Sequence, residues 1–141
     1  MNTLGLIWGL LCVFLAVSTL MDVINTRRLR RLARQRLGDS ICSFARSLDY
    51  RRLDTKVIRA VYEGMQDNLA RVCPAFPVRT SDDVAQMYRI DPEDYEDIVV
   101  EIADRVGRSL DDYERNPYYS QTSTIVGLIE FLCAQPRVQQ A

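Results

Sequence analysis

The side chains able to do chemistry are few in this chain, and the commonest of them is missing: there is no histidine among its 141 residues. That excludes triads with an imidazole base, His-ligated metals and proton shuttles working near neutral pH. Cysteine is the next choice. Cys12, Cys42, Cys73 and Cys133 are widely spaced, with no Cys-x-x-Cys pair, and without histidine they do not compose a zinc site. They read as small thiols in a reducing compartment rather than as a disulfide framework. Carboxylates are plentiful. Asp97 and Glu101 share one helical face, as an acid–base pair would. Nothing in the sequence surrounds them with an apolar cleft to shift their pKa values, so they read as surface charges. Asp91, Glu93, Asp94 and Asp97 lack the spacing and central glycine of a calcium loop, and the glycines form no phosphate-binding string. The expectation is a protein that is not an enzyme and holds neither metal nor cofactor.

Charge is the stronger signal, because it is segregated. The chain as a whole has a formal charge of −1, yet residues 27–36 contain six arginines and no acid: Arg27, Arg28, Arg30, Arg31, Arg34 and Arg36. Residues 79–132 contain thirteen acids against five arginines, a local charge of −8. Two surfaces of opposite sign are therefore expected, each with its own class of partner.

The element that must carry the basic cluster comes before it. Residues 4–24 run LGLIWGLLCVFLAVSTLMDVI, with Asp22 as the only charge. At about 1.5 Å per residue such a helix crosses a hydrocarbon core of about 30 Å. Two other readings compete. Ala16-Val17-Ser18 resembles a signal-peptide cleavage site, but the start, Met1-Asn2-Thr3, lacks basic side chains. A buried core helix is disfavoured, because the run is apolar on all faces and longer than a small domain needs. The favoured reading is a single membrane span. Arginines flanking a span stay on the cytoplasmic side. This predicts an inner-membrane protein with its N-terminus outside and all the rest within the cytoplasm.

Residues 25–50 continue as a basic amphipathic segment: Leu29, Leu32, Ala33, Leu37, Ile41, Phe44, Ala45 and Leu48 recur at steps of three and four. Lying at the headgroups, its six arginines would each add about 1 kcal/mol of attraction to anionic lipid. The competing reading is a pure topology signal. Nucleic acid is not an expected partner, since no aromatic platform accompanies the cluster.

Residues 51–136 read as a helical domain, and 137–141 as a tail. Asp54 is placed to cap a helix with a stripe of Val57, Ile58, Val61, Tyr62, Met65, Leu69 and Val72, ended by Pro74 and Pro77. Ser81-Asp82-Asp83 are placed to cap a short turn carrying Val84, Met87 and Tyr88. A second helix starts at Asp91-Pro92, exposes Glu93 and Asp94 at its positive end, packs Tyr95, Ile98, Val99, Ile102 and Val106, and stops at Gly107. After Asn116-Pro117, Thr122 or Ser123 opens a last helix with Ile125, Leu128, Ile129 and Leu132, closed by Pro136. No alternating strand appears. The fold class is all-α, a bundle of three to four helices behind one membrane helix.

This helix order, together with a few short strings, resembles an acyl carrier protein over roughly residues 55–136. Tyr88-Arg89-Ile90-Asp91-Pro92 stands where that family has Leu-Gly-Ile-Asp-Ser, and Thr124-Ile125-Val126-Gly127-Leu128-Ile129 is similar to its last helix. The resemblance implies a carrier-like bundle whose second helix docks on basic patches of enzymes. It also implies an attachment point for phosphopantetheine at the head of that helix. There the chain departs from the family: Pro92 occupies the place of the modified serine and has no hydroxyl. Gly107-Arg108-Ser109-Leu110-Asp111 spells a rival attachment string, but Asn116-Pro117 interrupts any helix that would follow Ser109. Ser109 reads as a cap for the turn 110–113.

On the second helix, the stripe given above leaves Glu93, Asp94, Asp97, Val100, Glu101 and Asp104 facing outward. The expectation is a membrane-anchored interaction module whose acidic helix docks a protein with a basic patch. The alternatives are a working carrier modified at Ser109 and a small structural subunit of a membrane complex.

Overall fold

A computed structural model describes residues 3–138. Five α-helices follow one another: α1, Thr3–Gln35; α2, Ile41–Arg46; α3, Thr55–Leu69; α4, Pro92–Val106; and α5, Ile125–Ala134. One π-type turn, Val84–Tyr88, precedes α4, and two 3-10 turns, Tyr113–Arg115 and Tyr119–Gln121, bridge α4 to α5. No strand occurs among the described residues. Two isolated bridges, Asp83 with Thr124 and Arg108 with Arg137, tie loops together. The chain is all-α, as its periodicity implies.

α1 is a single rod of 33 residues, about 50 Å long. Its apolar stretch is long enough to cross a membrane, and none of that stretch is buried against the rest of the protein, which removes the core-helix reading. Beyond residue 24 the same rod enters the domain. Leu29 and Ala33 are buried, and with Phe44 and Leu48 they belong to the same core as α3 and α5. Leu29, Ala33, Phe44 and Leu48 of this segment therefore belong to the bundle's core, while Arg27, Arg31, Arg34 and Leu37 stay exposed. Leu29, Ala33 and Phe44 find more apolar area to bury in the protein than a half-immersed helix would offer. The boundary expected at residue 51 does not separate two bodies.

α3 is the central helix. Asp54 caps it by accepting the Lys56 N–H at 3.0 Å, and Val57, Ile58, Val61, Tyr62, Met65 and Leu69 are buried. It ends at Leu69, five residues before Pro74, so Val72 lies beyond it, half-buried. α4 crosses α3 at Gly64, where an added Cβ would come within 2.8 Å of the Ile102 side chain. α4 itself has Pro92 in its first turn and closes on Gly107 in the left-handed conformation (φ 66°). The last helix is capped by Thr124 instead of Thr122 or Ser123: its hydroxyl accepts the Gly127 N–H at 3.2 Å. Gly127 has no substitute, since a Cβ there would sit 1.9 Å from the Gln121 carbonyl oxygen. Of the tail, residues 139–141 lie outside the described residues, while Val138 donates its N–H to Gly107 O at 2.9 Å.

Candidate functional site

α4 forms a ridge between two recesses. Its acidic face, Glu93, Asp94, Asp97, Glu101 and Asp104, is exposed throughout, and Val100 within it is 47% exposed. All six sequence-predicted docking residues thus share one accessible side of one helix. Glu101 accepts from Arg105 at 2.8 Å, and Arg105 also lies 3.6 Å from Asp67 on α3. Glu93, Asp94, Asp97 and Asp104 form no ion pair among the described residues.

On one flank, Asp94, Asp97 and Glu101 line a cleft of about 620 Å³ closed on the other side by Asp22, Asn25 and Leu29 of α1. The acidic face therefore stands level with the end of the apolar stretch of α1. On the other flank, Pro92, Tyr95, Val99 and Val100 line an apolar groove of about 430 Å³ whose far wall is Leu110, Tyr113 and Tyr119. The Tyr95 hydroxyl donates to the Thr122 carbonyl and holds α4 to the loop before α5. Burial, with the field of Asp83, pushes that hydroxyl's pKa up. Tyr113 and Tyr119 face each other with ring centroids 5.2 Å apart, and Tyr119 in turn lies 6.4 Å from Phe131. The groove that Tyr119 builds with Tyr113 was not legible in the sequence. Its signal was Tyr113, one turn past Leu110 in an otherwise polar loop.

The arginine cluster is where sequence and structure part. Arg36 is only 6% exposed and grips Asp82, itself 2% exposed, through two parallel bonds of 2.7 Å. Its Nη1 also donates to Pro77 O at 3.1 Å. The Asp82 carboxylate further accepts the Arg79 N–H at 2.9 Å and the Tyr88 hydroxyl. Burial works against the charge on Arg36, but the hydrogen bond and field of Asp82 outweigh it and raise the pKa of the guanidinium. Burial, reinforced by the Asp82 carboxylate, likewise drives the Tyr88 hydroxyl far above its ordinary pKa. Arg36 is thus an interior residue and not a headgroup ligand. It lies on the same stripe as Leu29 and Ala33, so the face that buries them buries it too. Arg28 donates to the Met87 and Gln86 carbonyls at 3.1 and 3.3 Å, and Arg30 to Val72 O at 3.1 Å. These two point along the domain. Arg27, Arg31 and Arg34 remain exposed and make no such contact among the described residues.

Other sequence-predicted positions resolve simply. Pro92 opens α4 and offers no nucleophile. The Ser109 hydroxyl accepts the Asp111 N–H at 3.0 Å and donates to its carboxylate at 2.7 Å, a local turn followed by two short 3-10 turns rather than a helix. Cys12, Cys42, Cys73 and Cys133 are free thiols. No group of three or more potential metal ligands gathers among the described residues.

Comparison with known proteins finds no matching family model, no related curated protein and no solved structure of matching fold.

Proposed function

We propose that this protein is a membrane-anchored, non-catalytic, acyl-carrier-like interaction module. Its N-terminus lies outside the cytoplasmic membrane, its domain lies inside, and α4 docks a protein carrying a basic patch. The observation that carries this reading is the contrast in how acids are used. Asp82 and Asp54 are engaged by arginines in or near the interior, whereas the α4 acids crowd one accessible face with Val100 among them. Exposed carboxylates around an apolar side chain, all but Glu101 without an ion pair among the described residues, are suited to steer and then seat a cationic surface. Pro92 at the head of α4 leaves the carrier resemblance without its prosthetic group. Arg27, Arg31 and Arg34, exposed at the end of the span, are the arginines left to meet lipid headgroups.

The test is affinity capture from solubilised membranes with the native chain and with Asp97→Lys combined with Glu101→Lys. Docking through α4 predicts at least a tenfold loss of the partner in the variant. Unchanged recovery would favour a structural subunit held through other surfaces. Intact mass of the native protein checks the other limit: a pantetheine adduct removed by Ser109→Ala would make the protein a working carrier and overturn the proposal.

A further inference from the structure

The groove on the opposite flank of α4 is not explained by the acidic face alone. Its walls are apolar and aromatic, yet Tyr113 and Tyr119 stay 41% and 45% exposed in a protein that buries Tyr62 and Tyr88. Their rings are tilted against each other at 59° with centroids 5.2 Å apart, so ring surface remains open to the groove. Glu96 lies in the same lining. Tyr119 and Glu114, with smaller contributions from burial and Glu96, raise the Tyr113 hydroxyl's pKa. Val100 belongs to both surfaces: it is one of the outward α4 residues and it lines the groove.

An occupant must satisfy all of these features. A purely apolar side chain would cover Glu96 without compensating its charge, which is unfavourable. An anionic ligand would meet Glu96 in the lining, within a stretch that carries −8. A cation laid over tyrosine faces is attracted by the ring quadrupole, and carboxylates at the rim add to that attraction. Arginine suits such a site best, because its flat guanidinium stacks on rings while its donors reach carboxylates.

We propose that this groove receives an arginine, flanked by apolar side chains, from the protein partner that α4 docks. The idea rests on the docking reading and supplies its anchor: the α4 acids would draw the partner in, and Tyr113 and Tyr119 would select what is inserted.

The experiment uses the full chain, methyl-labelled, in nanodiscs of phosphatidylcholine, whose zero net charge keeps a basic probe from concentrating on the lipid. The probe is a synthetic amphipathic helix of alternating arginine and leucine blocks. It is compared with the same peptide carrying glutamine for arginine, and with laurate. The arginine peptide should shift the Val99, Val100 and Leu110 methyl resonances and bind at least tenfold more tightly than the glutamine peptide. Tyr113→Ser with Tyr119→Ser should abolish that preference, while Tyr113→Phe with Tyr119→Phe, which keeps the ring faces, should retain it. Glu96→Gln, a surface change that leaves packing intact, should weaken binding several-fold. Equal binding of the glutamine peptide, saturation of the groove by laurate alone, or indifference to the Tyr→Ser pair would each overturn the proposal. Its failure is separable from failure of the docking reading. Partner capture lost in Asp97→Lys/Glu101→Lys but kept in the Tyr→Ser pair would leave α4 as the docking face and remove the groove from it.

Discussion

At the foot of α1, Arg36 and Asp82 face each other inside the protein with their charges spent on one another; along α4, Asp94 and Asp97 hold theirs in solvent. The first arrangement is a fastening. Two ions removed from water repay their desolvation only through close geometry and further hydrogen bonds, and here Pro77, Arg79 and Tyr88 supply those bonds. The second leaves α4's desolvation undone until something arrives to share it. The difference teaches where a charge-rich chain keeps its structure and where it keeps its capacity for contact.

The sharpest way to break that comparison is to remove one half of the fastening. Arg36→Ala should destabilise the protein by about 3–5 kcal/mol, because it strands the buried Asp82 carboxylate. Chemical denaturation in detergent measures the loss. Replacing both partners, Arg36→Met with Asp82→Leu, should recover most of it, which would show that the stranded charge and not the missing pair dominates.

Tyr88→Phe comes next. It removes one donor from Asp82 while others remain, for a loss of about 1–3 kcal/mol. It also carries a signature in pH. The Tyr88 pKa is raised in the folded state, so its contribution is complete below the ordinary tyrosine value of 10.0 and is lost as pH climbs from there toward the folded value. Alkaline melts of the native protein should fall above pH 10, and the Phe variant should show a shallower fall, with Tyr95 and Tyr62 contributing to the remainder.

Asp54 tests an intermediate case, a carboxylate at the edge of the interior. Burial alone would raise its pKa, but the Lys56 N–H and the Arg108 side chain prevail and lower it below 3.8. Its share of stability is therefore present above that value and is lost as pH falls through the folded one. Asp54→Ala should cost about 1–2 kcal/mol, in the range of a helix cap, and should flatten the acid limb of the stability curve.

The smallest expected change in stability is on α4. Asp97→Lys with Glu101→Lys should shift unfolding by no more than about 0.5 kcal/mol in either direction, as exposed sites do, even as it removes partner capture. A large destabilisation would mean that the acidic face is structural and would erase the contrast with Arg36.

What could be read from the residues was what local rules determine. Asp54 as a cap, Pro92 as a helix opening, Gly107 as a stop and the outward set from Glu93 to Asp104 all follow from spacing within one helix, and they stand where expected. Arg36 could not be placed that way. Its partner is 46 residues along the chain, and within a run of arginines nothing local separates it from Arg34. Register with Leu29 and Ala33 puts it on the inward stripe, but nothing in that spacing names its partner. The groove was hidden for a similar reason: Tyr113, Tyr119 and Phe131 meet only after two 3-10 turns fold the chain back, and no period connects them.

α1 has neither proline nor glycine between Gly9 and its end at Gln35. A stiff rod of this kind answers a thinner bilayer by leaning over rather than by shortening. Its last third buries Leu29 and Ala33 in the core, so on the proposed reading the domain would lean with it. Were α1 to cross a membrane as proposed, bilayer thickness would set the angle at which α4 faces its surroundings.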